Sequence, residues 1–286
     1  MVRIKRIVII ALILFIIGVI GSVATYKFAA TGSTVTQTEQ VKRNDVSNIE
    51  IDADNEMVEI IPTTDTAITV ELTGKTSKNN EKRLFVEENN QTLSITVKSE
   101  RFRFLSFDFF NWERSLTIHL PEKKYNRLTA DVDNGSINAA ELEVAEIEVE
   151  TNNGKVAIQE MTANTIQAES DNGKIYIENV TADKMAVATD NGKIELIDVE
   201  GALQGKTSNG AISLKISHID RAIDLETDNG SINIETEKEP TNAIFDTSTD
   251  NGRVSIFGDD DYDMMVGEGE NEIKLQTNNG SITVTK

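Results

Sequence analysis

Eight Asn-Gly pairs punctuate the chain from its middle to its C-terminus: Asn134-Gly135, Asn153-Gly154, Asn172-Gly173, Asn191-Gly192, Asn209-Gly210, Asn229-Gly230, Asn251-Gly252 and Asn279-Gly280, with gaps of 19, 19, 19, 18, 20, 22 and 28 residues. A spacing this regular marks a repeat array. Two residues after each glycine stand Ile137, Val156, Ile175, Ile194, Ile212, Ile232, Val254 and Ile282; four after stand Ala139, Ile158, Ile177, Leu196, Leu214, Ile234, Ile256 and Val284. Three before, Val132 is followed in later repeats by Thr151, Ser170, Thr189, Thr207, Thr227, Thr249 and Thr277. Period-two alternation on both flanks predicts strands with one apolar face, joined at a corner. Asn and Gly are expected there because both tolerate the positive φ angles of a tight or type I′ turn.

Two architectures place both flanks on one face, a parallel β-solenoid with one coil per repeat and an antiparallel β-meander with one hairpin per repeat. The steady interval favours the solenoid, with coils of about 19 residues, because stacking like positions about 4.8 Å apart makes register depend on repeat length. One coil buries side chains such as Ile175, Ile177, Val180, Met185 and Val187, each contributing on the order of 1.5–3 kcal/mol before entropy. Neighbouring coils must cover both sides of that layer. The asparagines are predicted to form an amide ladder along the stack.

Upstream of the repeats the chain divides into unlike pieces. Residues 1–6 are basic, and 7–26 form an uncharged apolar run behind Arg3, Lys5 and Arg6. Roughly twenty such residues span a bilayer as a helix, so a single uncleaved anchor is expected, with the N-terminus in the cytoplasm and the rest outside the cell. Residues 27–44 read as a tether. From 45 to 121 the pattern is irregular: Ile49, Ile51 and Ala53 precede Asp54-Asn55-Glu56 with Glu56 in the glycine position, and a second degenerate copy is expected around Asn89-Asn90-Gln91. Within this region, residues 101–112 hold five of the ten phenylalanines and the only tryptophan. Phe102, Phe104, Phe107, Phe109, Phe110 and Trp112 are candidate partner contacts, or else a plug on the open end of the array. Regular coils run from 122 to 286.

Composition closes off several chemistries. With no cysteine, and only His119 and His218 as histidines, thiol catalysis, disulfides and Cys/His zinc sites are excluded. Beyond residue 30 the chain carries a net charge of −24, which repels nucleic acid. Asp133, Asp171, Asp190, Asp228 and Asp250 recur two positions before the glycines, but Asn152, Ser208 and Asn278 break the column. Asp is in any case an ordinary turn former, so no calcium site is assigned. No carboxylate pair or Lys/Arg-Asp cluster disturbs the regular coils in the way a glycan-cleaving site would. No catalytic residue, metal or cofactor is expected.

The N-terminal anchor, the Leu120-Pro121 ending before the coils and the recurrent Asp-Asn-Gly-x-Ile-x-Ile turns resemble the adhesin-named bacterial β-strand-repeat family, also called toastrack domains. The resemblance covers nearly everything after residue 45. It implies a right-handed single-stranded β-helix outside the cell, together with an association with envelope stress sensing, and it brings no catalytic residues to transfer. The expected function is a membrane-anchored, non-catalytic interaction or scaffold module whose partner is an envelope membrane protein. Adhesin-like binding to a cell-wall component is the alternative.

Overall fold

A computed structural model describes residues 12, 14–19, 32–77, 82–99, 114–259 and 263–286. Seven strands precede the regular repeats: β1 (Gly32–Val41), β2 (Asn48–Ala53), β3 (Met57–Thr63), β4 (Ile68–Ser77), β5 (Lys82–Asn89), β6 (Thr92–Ser99) and β7 (Arg114–Pro121). The repeats supply β8 (Lys124–Val132), β9 (Ile137–Ala140), β10 (Glu143–Thr151), β11 (Val156–Gln159), β12 (Thr162–Ser170), β13 (Ile175–Thr189), β14 (Ile194–Thr207), β15 (Ile212–Ile216), β16 (Ile223–Asn229) and β17 (Ile232–Thr236). Five more close the chain, β18 (Ala243–Asn251), β19 (Val254–Ile256), β20 (Asp263–Val266), β21 (Asn271–Asn279) and β22 (Ile282–Thr285).

Each repeat contributes a segment to each of two walls. On the first, Ile147, Ile166, Met185, Leu203, Ile223 and Ile273 are in parallel register. On the second, Val156, Ile175, Ile194, Ile212, Ile232 and Ile282 are in register likewise. All of these side chains are buried, so alternation puts one apolar row of every strand inside the tube. The parallel solenoid holds for the repeats, but the ends depart from it: β1–β4, β4–β7, β5–β6 and β18–β20 pair antiparallel.

At the Asn-Gly corners neither residue has positive φ, which corrects the turn expected from the sequence. Glycine is required there for a different reason. A Cβ on Gly135, Gly154, Gly173, Gly192, Gly210, Gly230, Gly252 or Gly280 would lie 1.7–1.9 Å from the backbone carbonyl oxygen of the residue stacked against it. The left-handed residues are Glu141, Glu160, Asn179 and Asp198, with φ of 48–57°, six positions after their glycines, where the chain passes from the second wall to the first.

Hydroxyls line the inside of the glycine corner. Thr151 donates to the Gly135 carbonyl at 3.0 Å, and Ser170, Thr189, Thr207 and Thr227 repeat the bond one coil further on each time. Outside it, the Asn side chains form the expected ladder, beginning with Asn153 to Asn134 at 2.8 Å and Asn172 to Asn153 at 3.1 Å. The ladder ends out of chain order: Asn279 donates to Asn229, and Asn251 donates to Asn279, each at 3.0 Å. The C-terminal strands β21 and β22 are thus inserted between β16–β17 and β18–β19.

Below the first repeat, Glu56 occupies the glycine position, stacked against Gly135. Its fully buried carboxylate accepts the Asp54 and Asn55 amides at 3.1 and 2.9 Å and pairs with Arg114 Nε at 2.6 Å. Buried Lys82 pairs with Asp54 beside it. Further out, the Gln37 side chain joins β1 to β5, donating to the Lys82 carbonyl at 3.1 Å and accepting from the Leu84 amide at 2.9 Å. These contacts give the edges β1 and β5 partners at the tube's end.

Other expectations fare unevenly. The turn at Asn89-Asn90-Gln91 is no solenoid corner but the tip of the antiparallel β5–β6 hairpin, with Asn90 at φ 54°. Part of the expected tether, residues 32–41, is strand β1. Of the expected anchor, residues 12 and 14–19 are described; they are helical and exposed. Among the described residues no helix is long and apolar enough to cross a membrane.

Candidate binding face

The outer surface of the first wall carries a shallow groove of about 510 Å³. It crosses β10, β12, β13, β14, β16 and β21, and with adjacent strands about 4.8 Å apart it is about 24 Å long. Its position follows from side-chain size along two outward rows. One row runs Glu146, Thr165, Lys184, Ala202, the other Glu148, Gln167, Ala186, Gln204, Asp224, Lys274. Ala186, Ala202 and Ala222 lower the floor where flanking coils carry long side chains. The groove lies beside an irregularity: register shifts between Thr181 and Lys184 against the coil that is one residue short, and Gly201 takes φ 105° there. A Cβ on Gly201 would stand 1.7 Å from the Ala182 carbonyl oxygen.

Glu146, Glu148, Asp224 and Glu272 rim the groove against Lys184 and Lys274. Arg127, just outside it, bonds Glu146 at 3.4 Å and Glu148 at 2.5 Å. Acidity deepens away from the groove. Burial, then Asp131, Glu169, Asp171 and Glu148, raises the Glu150 pKa; burial, then Asp133 and Asp52, raises that of Asp131. Among the described residues that line the groove there is no aromatic side chain and no histidine. Its chemistry is that of contact and charge pairing: small apolar floor, mixed-charge rim and outward carboxylates.

The second wall carries a different feature. Lys155 and Lys174 lie 5.1 and 4.9 Å from the Tyr176 ring centre, close enough for cation–π attraction. Lys174 also pairs with Glu195, holding that carboxyl below its ordinary range. Lys155, Lys174 and Lys193 follow their glycines directly, so the column was available in the repeat alignment, yet the sequence reading passed over it.

The sixteen corner residues expected from the sequence, from Asn134 and Gly135 to Asn279 and Gly280, all come together on one edge. The candidate contacts Phe102, Phe104, Phe107, Phe109, Phe110 and Trp112 lie outside the described residues. In the acidic turn column, Asn152 donates to Asp133 at 3.3 Å and Asn278 to Asp228 at 3.1 Å, whereas Asp171 and Asp190 follow one another on consecutive coils. Among the described residues no group of three or more His, Cys, Asp or Glu side chains is placed to hold a metal ion.

Residues 46–285 match the family model described as Toastrack DUF4097. A solved structure from Bacteroides fragilis, named a putative adhesin, has a TM-score of 0.54 at 16% identity, covering 88% of this chain and 97% of its own. Two from Parabacteroides distasonis are more distant. One, also named a putative adhesin, has a TM-score of 0.49 at 11% identity over 87% of this chain and 97% of its own. The other, named a putative lipid binding protein, has a TM-score of 0.45 at 16% identity over 89% and 98%. No curated protein matches the chain.

Proposed function

The chain belongs to the Toastrack DUF4097 family, and from that membership we propose that it is a non-catalytic interaction module binding a partner through the grooved outer face of its first wall. The observation that carries this reading is the groove over Ala186, Ala202 and Ala222, an open concavity among larger polar and charged outward side chains. An extended segment of a partner protein suits its length and its mixed rim. A glycan suits it less, because saccharide faces stack on aromatic rings and the described residues of this lining include none. The apolar run at 7–26, with its basic flank, would hold the module at the membrane with the solenoid outside the cell. In that position it would act as a scaffold in envelope stress sensing.

Binding of the full-length chain to isolated envelope fractions tests this. Ala202→Arg and Ala186→Arg, both at outward-facing positions, fill the groove without touching the core. Loss of at least about tenfold in envelope-protein binding with an unchanged melting temperature supports the reading. Undiminished binding by both variants contradicts it, and binding only to purified wall polymer would move the function to adhesion.

A further inference from the structure

The inserted C-terminal strands mean that every copy of this chain contains a slot as well as the element that fills it. On one side of the slot are β16 and β17, on the other β18 and β19, and β21 and β22 pair in parallel with both sides. All four apolar side chains that the insert turns inward, Ile273, Leu275, Ile282 and Val284, are buried. Nothing in this pairing requires that the insert come from the same chain, since an identical C-terminus from another copy makes the same bonds.

The connection leading into the insert is the second observation. Phe257 is left-handed with φ 50°, a conformation L-residues rarely adopt, and Gly258, Gly267 and Gly269 also have positive φ. The chain runs from β19 to β20 on one side of β18, then to β21 on the other, so it passes around the start of β18. A polar clasp holds that passage. Asn242 donates to Glu270 at 2.8 Å and accepts from its amide at 3.0 Å, while Asn271 bonds the Asn242 carbonyl at 2.7 Å. Asp220 accepts from the Thr241 and Asn242 amides on the same turn. The passage that must open to free the insert is the short turn from β20 to β21, where Gly267 and Gly269 take positive φ without steric cost. A short connection leading to a self-contained terminal element is an arrangement that permits exchange between copies. At the same end of the tube, neighbours Ile244 and Met265 are exposed, Met265 by 66%, leaving apolar surface for an incoming copy to cover.

We infer that β21–β22 is an exchangeable donor element, and that a second copy of this chain is the partner its slot accepts, joining toastrack solenoids end to end.

The chain lacks cysteine, so engineered thiols report without background. Asn233 and Thr283 are register partners across the slot, and neighbouring strands hold Cα atoms within disulfide range. Full-length Asn233→Cys and Thr283→Cys chains, tagged to differ in size, are mixed in detergent, warmed to just below the melting transition, cooled and oxidised. The control mixture pairs Ser213→Cys with Asn233→Cys, register partners between consecutive coils. Expected is a covalent heterodimer at least about tenfold above the control. Heterodimer no greater than control overturns the proposal when the double variant Asn233→Cys/Thr283→Cys closes its internal disulfide, because the pairing then exists but stays within one chain. An internal disulfide that does not close overturns it too, by removing the slot.

Discussion

Asn279 donates its side-chain amide to Asn229, fifty residues earlier, at 3.0 Å. The last Asn-Gly of the chain is therefore not the last rung of the ladder; Asn251 stacks beyond it. Among the described residues β18 and β19 pair with the array through β21 and β22, and Asp220 holds the turn before β18 through Thr241 and Asn242. Gly280→Ala would place a Cβ 1.8 Å from the Gly230 carbonyl oxygen, and Gly252→Ala one 1.7 Å from that of Gly280. Hydrogen exchange is expected to separate the two. Gly280→Ala should deprotect 271–285 and 243–256 together, whereas Gly252→Ala should deprotect 243–256 alone.

The glycine corner and the glycine within a strand should differ in cost. At Gly173 an added methyl meets the Gly154 carbonyl oxygen at 1.7 Å, a backbone atom whose movement would unstack the coil; at Gly205 it meets Leu225 Cδ2 at 2.8 Å, the end of a side chain that can turn aside. Gly173→Ala is expected to destabilise by about 3 kcal/mol or more and Gly205→Ala by about 1 kcal/mol, measured by chemical denaturation.

Glu56 and Arg114 close the lower end of the stack as a buried pair at 2.6 Å. Removing the carboxylate strands the Arg114 charge and the Asp54 and Asn55 amides together. Glu56→Ala is expected to cost about 3–5 kcal/mol, and Glu56→Gln less, because its amide oxygen still accepts. Equal stability of Glu56→Ala and the parent would show that the pair is not what seals this end.

Acid should stabilise the first wall before it harms it. Asp131 and Glu150 are register partners whose pKa values are raised, by burial first and then by neighbouring carboxylates. A carboxyl with a folded-state pKa above its unfolded value is a penalty at higher pH, relieved as pH falls through the folded value. Asp45, lowered by Arg43, and Glu195, lowered by Lys174, act in the opposite sense and lose their contribution only at lower pH. The melting temperature is expected to rise as pH falls from neutral through the raised values of Asp131 and Glu150, and to fall at lower pH as Asp45 and Glu195 lose their charge. Asp131→Asn should raise it at neutral pH, with the advantage shrinking as the parent is acidified.

Much of this architecture was legible in the spacing and alternation of the repeats: the walls, the Asn ladder, even the degenerate corner at Glu56. Identical rungs carry no label of their order, which is why the displaced C-terminal coil was not. The Asn-Gly signature points to positive φ, but here glycine answers to a carbonyl oxygen 1.7–1.9 Å from any added Cβ. The residues that do turn left-handed, Glu141, Glu160 and Asp198 among them, carry no such signature in their identity. The groove was hidden for a similar reason. Its signal is the smallness of Ala186, Ala202 and Ala222 at outward positions, and a motif search looks for side chains that are present. Phe102 to Trp112, the most conspicuous segment of the sequence, lies outside the described residues, and the candidate face was found on the opposite kind of surface.

The most direct test of binding through the first wall is photo-crosslinking in living cells from the full-length chain, with the probe at Ala202 in the groove, at Phe107 in the aromatic segment and at Thr283 on the second wall. Capture of one envelope protein from Ala202 at several times the yield from Thr283 is the expected result. Capture from Phe107 alone, or equal capture from all three, would contradict the groove as the binding face.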